Sequence, residues 1–154
     1  MIFKTMRFLG ALALFGMGAV HLQQYIGADY SQIPTIGPLF LLNAIGAGIV
    51  GVALLVPFER MLAGRKADMV VGLVATGAVA MAAGALVSLF ISEYGLFFGF
   101  SENGYSLPVV LAIVSEAAAL VLLAPVAVIS VGRTLQGRGR PLVPAAANGS
   151  GGAR

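Results

Sequence analysis

Three side chains sit where chemistry is costly to place: His21, Asn43 and Glu116, each inside a long apolar stretch. His21 is the only histidine in the chain. An ionised acidic side chain at the centre of a membrane helix costs about 2.5–3.5 kcal/mol on insertion scales, so such residues are functional candidates from the start. A carboxyl beside an imidazole can fix its tautomer and share a proton with it. An asparagine amide can add a hydrogen bond to the same partner. Gln23 and Gln24 adjoin His21, Ser92 and Glu93 close the third apolar stretch, and Ser115 neighbours Glu116. Ala118 and Ala119 leave room beside the carboxyl. The bland reading has equal standing: a Glu–His–Asn set can merely pin helices together, since interhelical hydrogen bonds in membranes average about 0.6 kcal/mol.

Other chemistries find little support. No cysteine is present, so thiol redox chemistry, Cys-ligated zinc and iron–sulfur clusters are excluded. Zinc requires three or four ligands, and only His21 and some carboxylates are offered, so no metal site is expected. For haem, Met17 lies one turn from His21 on the same helix and cannot bind the opposite face of the iron. A second histidine would have to come from a dimer. Neither a P-loop, a dinucleotide fingerprint nor a Ser/His/Asp ordering points to an enzyme, and no catalytic residue is assigned.

The elements that must position these residues are membrane helices. The chain has 154 residues, of which 59% are hydrophobic and only 10% charged, with mean hydropathy +0.98. A soluble domain needs about 25% charged residues to wet its surface. Four apolar runs, about 8–26, 37–56, 69–91 and 107–131, are each long enough for a hydrocarbon core. In lipid the backbone must satisfy itself, so these runs are predicted to be helices. The expected fold is all-α, an integral membrane four-helix bundle. The membrane domain spans 1–136 and a disordered, Gly/Ala/Pro/Arg-rich cytoplasmic tail follows over 137–154. Pro38 and Pro108 suit first turns, and Pro57 helps end the second span. Pro125 is expected to kink the fourth.

Charge sets the orientation. All nine basic residues lie at the termini or between the second and third runs, while the other two loops carry Asp29, Glu93 and Glu102. The positive-inside rule then places the N- and C-termini and the middle loop in the cytoplasm. The basic start and the run Phe8–Val20 also fit a signal peptide, but no convincing small-x-small cleavage site follows Val20. The net charge of +3 follows this topology and forms no basic face, so nucleic-acid binding is not expected.

At about 1.5 Å of rise per residue, His21 lies about 7 Å, Asn43 about 9 Å and Glu116 about 13 Å below the outer ends of their spans. Polar side chains thus favour the outer half, which predicts a pocket open to the outside. The segment 92–106 holds Tyr94, Phe97, Phe98, Phe100 and Tyr105. These are either an interfacial belt or a lid over the polar cluster, with Phe97, Phe98 and Tyr105 touching an apolar ligand such as a lipid or quinone. Gly72, Thr76, Ala80, Gly84 and Ser88 form a row of small residues at intervals of four, suited to close packing within the bundle or to a homodimer seam.

The stretch His21-Leu-x-x-Tyr25 followed by Ile33-Pro-Thr-Ile-Gly-Pro-Leu-Phe-Leu-Leu-Asn43 resembles small four-span proteins of bacterial inner membranes. The general plan is similar to that of DoxX-type membrane proteins, some of which serve as subunits of quinone-linked redox systems. That resemblance implies a bacterial inner-membrane location and an accessory, quinone-related role. The combined expectation is an outward-facing pocket formed by His21, Gln24, Tyr25, Asn43, Glu93, Phe97, Phe98, Tyr105 and Glu116. It would bind a small apolar, quinone-like or lipid-like ligand, alone or within a larger membrane complex. The alternatives are a structural assembly protein and a proton-coupled small-solute transporter formed by an oligomer.

Overall fold

A computed structural model describes residues 1–102 and 104–136. The expected tail over 137–154 lies outside the described residues. Four helices are long and apolar enough to cross a bilayer: α1 (Ile2–Gly27), α2 (Ile36–Leu55), α4 (Gly64–Tyr94) and α5 (Leu107–Gln136). A single turn, α3 (Phe58–Met61), joins α2 to α4, and one 3-10 turn, Tyr30–Gln32, lies between α1 and α2. Among the described residues there is no β-strand, so the fold is an all-α membrane four-helix bundle.

α1, α4 and α5 extend beyond their apolar runs. Lys4, Arg7, Arg65 and Lys66 are good helix formers, so the helices continue where the lipid-compatible sequence stops. The ends follow local chemistry. Pro57 disfavours α geometry at Val56, whose extended backbone (φ −65°, ψ 127°) closes α2. Pro38 and Pro108 occupy first turns. α5 runs through Pro125 as one helix.

The exterior is apolar. Leu73 is 74% exposed and Val121 72%, and many other aliphatic side chains share that outer surface. Large apolar surfaces of this kind need lipid around them. The interior is built largely from small residues: Ala11, Leu14 and Met17 of α1 pack with Ala47, with Ala75, Ala78 and Ala82 of α4, and with Ala119 and Leu123 of α5. Small side chains let helix backbones approach, which is how bundles gain cohesion without a hydrophobic force. A Cβ on Gly18 would lie 3.1 Å from that of Ala47, and one on Gly51 only 2.6 Å from the Phe15 ring.

The small-residue row of α4 is placed differently from a continuous seam. Gly72 packs against Ser130 and Val131, but Thr76, Ala80 and Gly84 are exposed. The face that α4 buries within the chain carries Val71, Ala75, Ala78 and Ala82. Around the bundle the order is α2, α1, α5, α4. Neighbours in that order pack along their lengths, whereas α2 and α4 meet only sparsely.

The basic ends of the helices are tied together. Arg7 Nη1 donates to Glu59 Oε1 at 2.6 Å, and Nη2 reaches the Val56 carbonyl at 3.4 Å. Arg133 lies 3.8 Å from Asp68, and its guanidinium sits 5.1 Å from the centre of the Phe3 ring. Partial burial pushes the Glu59 carboxyl up, but hydrogen bonds from its own backbone and from Arg7, with the Arg7 and Lys4 charges, hold it below the usual value. A depressed carboxylate contributes stability that is present above its unfolded pKa and lost as pH falls through the folded value. The thermal midpoint in mild detergent is therefore expected to drop as pH falls below the ordinary glutamate range. Glu59→Gln should flatten that dependence, at a cost near neutral pH of about 1 kcal/mol, kept small because the Glu59 side chain is 38% exposed. An unchanged acid limb in the variant would show that the pair does not hold α1 to the α2–α4 connection.

Candidate functional site

The 3-10 turn Tyr30–Gln32 is wedged against the start of α2. Asp29 and Thr35 flank it with positive φ (59° and 69°), a conformation uncommon for residues with a side chain. Gly37 allows the approach, because a Cβ there would meet the Tyr30 carbonyl oxygen at 2.6 Å. This wedge points Tyr30 back over the helix ends. Its ring stacks edge-on with Phe40 at 4.9 Å and with Phe100 at 5.4 Å, and its hydroxyl donates to Glu102 Oε2 at 2.8 Å. Burial first, then the hydrogen bond to Glu102 and its charge, push the Tyr30 phenol well above the ordinary range. It remains a donor throughout neutral and mildly alkaline conditions.

The second loop folds inward onto Tyr30. Phe97 and Phe100 exchange two backbone hydrogen bonds of 2.8 and 3.0 Å around Phe98 (φ 52°) and Gly99 (φ 79°). Positive φ at both central residues marks the tight hairpin turn that glycine favours. Glu102 N–H donates to the Ser92 carbonyl at 2.9 Å and anchors the loop to α4.

Beneath this roof lies a cavity of about 370 Å³, lined by all four long helices and both loops. His21, Asn43 and Glu116 share it. Glu116 is 1% exposed, and its Oε2 has no hydrogen-bond partner among the described residues. Its Oε1 stands 3.8 Å from His21 Nε2, beyond hydrogen-bonding distance. His21 Nδ1 lies 2.9 Å from the Met17 carbonyl, and its ring packs on Phe40 at 4.9 Å. A carbonyl only accepts, so Nδ1 carries a proton and Nε2 faces the cavity.

Of the nine residues singled out from the sequence as ligand-binding, six line this cavity: His21, Gln24, Asn43, Phe97, Phe98 and Glu116. Tyr25, Glu93 and Tyr105 do not. Glu93 Oε1 instead accepts the Gly104 N–H at 3.1 Å, and the Tyr105 hydroxyl lies 3.0 Å from that of Tyr94 on the exposed surface. The aromatic segment thus divides: Phe97 and Phe98 roof the cavity, while Tyr94 and Tyr105 face outward. Ser115 turns back onto its own helix, donating to the Leu111 and Ala112 carbonyls at 2.8 and 3.0 Å.

Sequence reading missed Tyr30, Phe40, Met81 and Glu102 in the lining. For Tyr30 and Glu102 a signal existed: an aromatic and an acid in the two loops at the same end. Phe40 and Met81 carried none, being ordinary apolar residues of spans. Among the described residues no three His, Asp or Glu side chains converge as a metal site.

The arrangement can hold a polar group between an imidazole and a carboxyl and surround the attached body with apolar and aromatic side chains. Compared with protein-family models, curated proteins and solved structures, the chain matches none, so the DoxX-type resemblance gains no support and the site is read from its own chemistry.

Proposed function

We propose that this integral membrane protein binds a small amphiphilic molecule, quinone-like or lipid-like, in the cavity between its helices. The observation that carries the reading is Glu116: a carboxyl 1% exposed, on the wall of a cavity, with one oxygen left without a partner among the described residues. A buried polar group without a hydrogen bond costs about 1–3 kcal/mol, which a bound polar group would relieve. His21, Asn43 and Gln24 line the same space and supply further polar contacts, and Phe97, Phe98 and Phe40 cover the ligand body. The volume lies at the lower end of the range of about 300–1,000 Å³ for small-molecule sites.

By the charge asymmetry, the basic end faces the cytoplasm and the cavity lies toward the opposite side, as in a bacterial inner membrane. The same site suits an accessory subunit that holds such a molecule for a larger membrane complex.

The test is native mass spectrometry, with an absorption spectrum, of protein purified in mild detergent. A stoichiometric small molecule is expected on the wild type and is expected to be lost from His21→Ala and Glu116→Leu. An empty wild type, or a bound species that both variants keep, would overturn the reading.

A further inference from the structure

The cavity is roofed at the loop end but not walled on every side. The Phe97–Phe100 turn, the Glu102–Ser92 backbone bond and the Tyr30–Glu102 hydrogen bond hold the roof in place. Between α2 and α4 the packing is sparse. The two helices approach at Gly46, where a Cβ would lie 3.1 Å from the Met81 sulfur. Toward the loop end from that contact, Asn43 on α2 and Gly84 and Ser88 on α4 all line the cavity. Gly84 lines the cavity and is nevertheless exposed, and a Cβ on it would meet nothing within 4 Å. Leu42, Ile45 and Val87, on the same stretches of α2 and α4, are exposed aliphatics suited to lipid. At 1.5 Å of rise per residue, Gly84 lies about 15 Å below the end of α4 at Tyr94, within the hydrocarbon layer and not at its surface.

The polar end of the cavity has its own selectivity. His21 Nε2 and Glu116 Oε1 face one another at 3.8 Å, too far apart to bond directly. With one proton between them, one member donates and the other accepts, whichever of the two holds it. A hydroxyl satisfies both states, because it donates one hydrogen bond and accepts another. An ether cannot donate, and a carboxylate would set a lone pair against the accepting member while bringing an added negative charge into the cavity.

We infer that the cavity takes a neutral, hydroxyl-bearing, long-chain amphiphile sideways from the lipid, through the gap between α2 and α4. The hydroxyl rests between His21 and Glu116, and the chain leaves past Gly84 into the bilayer. This rests on the amphiphile-binding reading above and adds the ligand's head group and its route.

The experiment uses the full chain reconstituted in phosphatidylcholine vesicles. The probes are hexadecanol carrying a diazirine at the far end of its chain, the methyl ether of that alcohol, and the corresponding fatty acid. After photolysis, peptide mass spectrometry locates the adducts. The alcohol is expected to label saturably and about tenfold more than the ether or the acid, the worth of one well-made hydrogen bond. Adducts are expected on α2 and α4 beside the gap. Gly84→Leu should abolish saturable labelling, because its side chain would fill the opening that the chain occupies. Gly77→Leu, the same change on α4 at an exposed position outside the cavity, should not.

Labelling by the alcohol that maps only to 95–106, or that survives Gly84→Leu, would overturn the lateral route while leaving the cavity a binding site. Equal labelling by the ether or the acid would overturn the hydroxyl assignment. Absence of saturable labelling by any probe, with native mass spectrometry still showing a bound molecule, would overturn this inference alone. With an empty protein as well, both readings fall.

Discussion

Glu116→Leu is expected to raise the thermal midpoint in detergent above that of wild type stripped of its ligand, and to abolish ligand occupancy. In the structure the carboxyl is 1% exposed, its Oε2 has no partner among the described residues, and its Oε1 lies 3.8 Å from the nearest cation-capable atom, His21 Nε2. A residue acting as interhelical glue would be hydrogen-bonded, and its removal would lower stability. An unpartnered buried polar group does the opposite. Replacing it with an apolar side chain of similar size should recover about 1–3 kcal/mol, or several degrees of midpoint. The added volume has somewhere to go, because Glu116 borders the 370 Å³ cavity. The two readouts must move in opposite directions, stability up and ligand occupancy down. A variant that melts several degrees lower than ligand-free wild type would sink the binding role and restore the pinning role. That combination is how sites that spend stability on function are recognised.

Gly37→Ala is expected to destabilise the protein by about 1–3 kcal/mol, although alanine is ordinarily the better helix residue by up to about 1 kcal/mol. The new methyl would stand 2.6 Å from the Tyr30 carbonyl oxygen and 3.1 Å from Ser31 Cα. Both are backbone atoms, so no side chain can rotate away and the Tyr30–Gln32 turn must move. Displacing the turn withdraws the Tyr30 hydroxyl from Glu102, 2.8 Å away, and loosens the roof. The phenol reports this directly. In the intact protein its pKa stands well above the ordinary range, first because of burial and then because of Glu102. A raised phenol pKa contributes stability that is fully present below the unfolded value and lost as pH rises through the folded one. In Gly37→Ala, Tyr30 should titrate nearer the ordinary phenol value, read as the ultraviolet difference from the same variant carrying Tyr30→Phe. Gly48→Ala is the control, since its Cβ would meet nothing within 4 Å and it should be neutral or slightly stabilising. An unchanged Tyr30 titration in Gly37→Ala would show that the turn does not position the roof.

Much of the architecture was legible in one dimension. Runs of about 20 residues without charge leave a chain few options in lipid, because every backbone hydrogen bond must be made within the segment. Prolines 38, 57 and 108 stood near the ends of those runs and proved to lie at helix boundaries. The helix ends were less legible, since α1 and α4 carry on through charged turns that no apolar pattern marks. The row from Gly72 to Ser88 shows the limit of periodicity. Spacing identifies a face that permits close approach, but α4 carries two such faces, and the one buried in the chain is Val71, Ala75, Ala78 and Ala82.

The candidate site divides in the same way. His21, Asn43 and Glu116 were conspicuous because polar side chains are rare in spans, and rarity is a property of the sequence alone. Glu93 was chosen as an acid closing the third span and Tyr105 as an aromatic of the segment read as a belt or lid, yet their neighbours are Gly104 and Tyr94, outside the cavity. Nothing in their spacing separates them from Tyr30 and Glu102, which close the roof. That distinction depends on how far each loop turns back over the bundle, set by Gly37 beneath one and by Phe98 and Gly99 within the other.

By itself the sequence determined that this protein crosses a membrane as four helices and keeps nearly all its ionisable groups at the ends of its spans, with His21 and Glu116 the exceptions. Hydrocarbon penalises charge and unpaired backbone residue by residue, so composition along the chain is sufficient for that. The tertiary structure alone decided that His21, Asn43 and Glu116 share one cavity, that Tyr30 roofs it, and that its wall is thin between α2 and α4. Each of those depends on the rotation of a helix about its axis and on which neighbours it packs against. In lipid both are governed by the close fit of small side chains such as Gly18 on Ala47, a property of surfaces that no single segment contains.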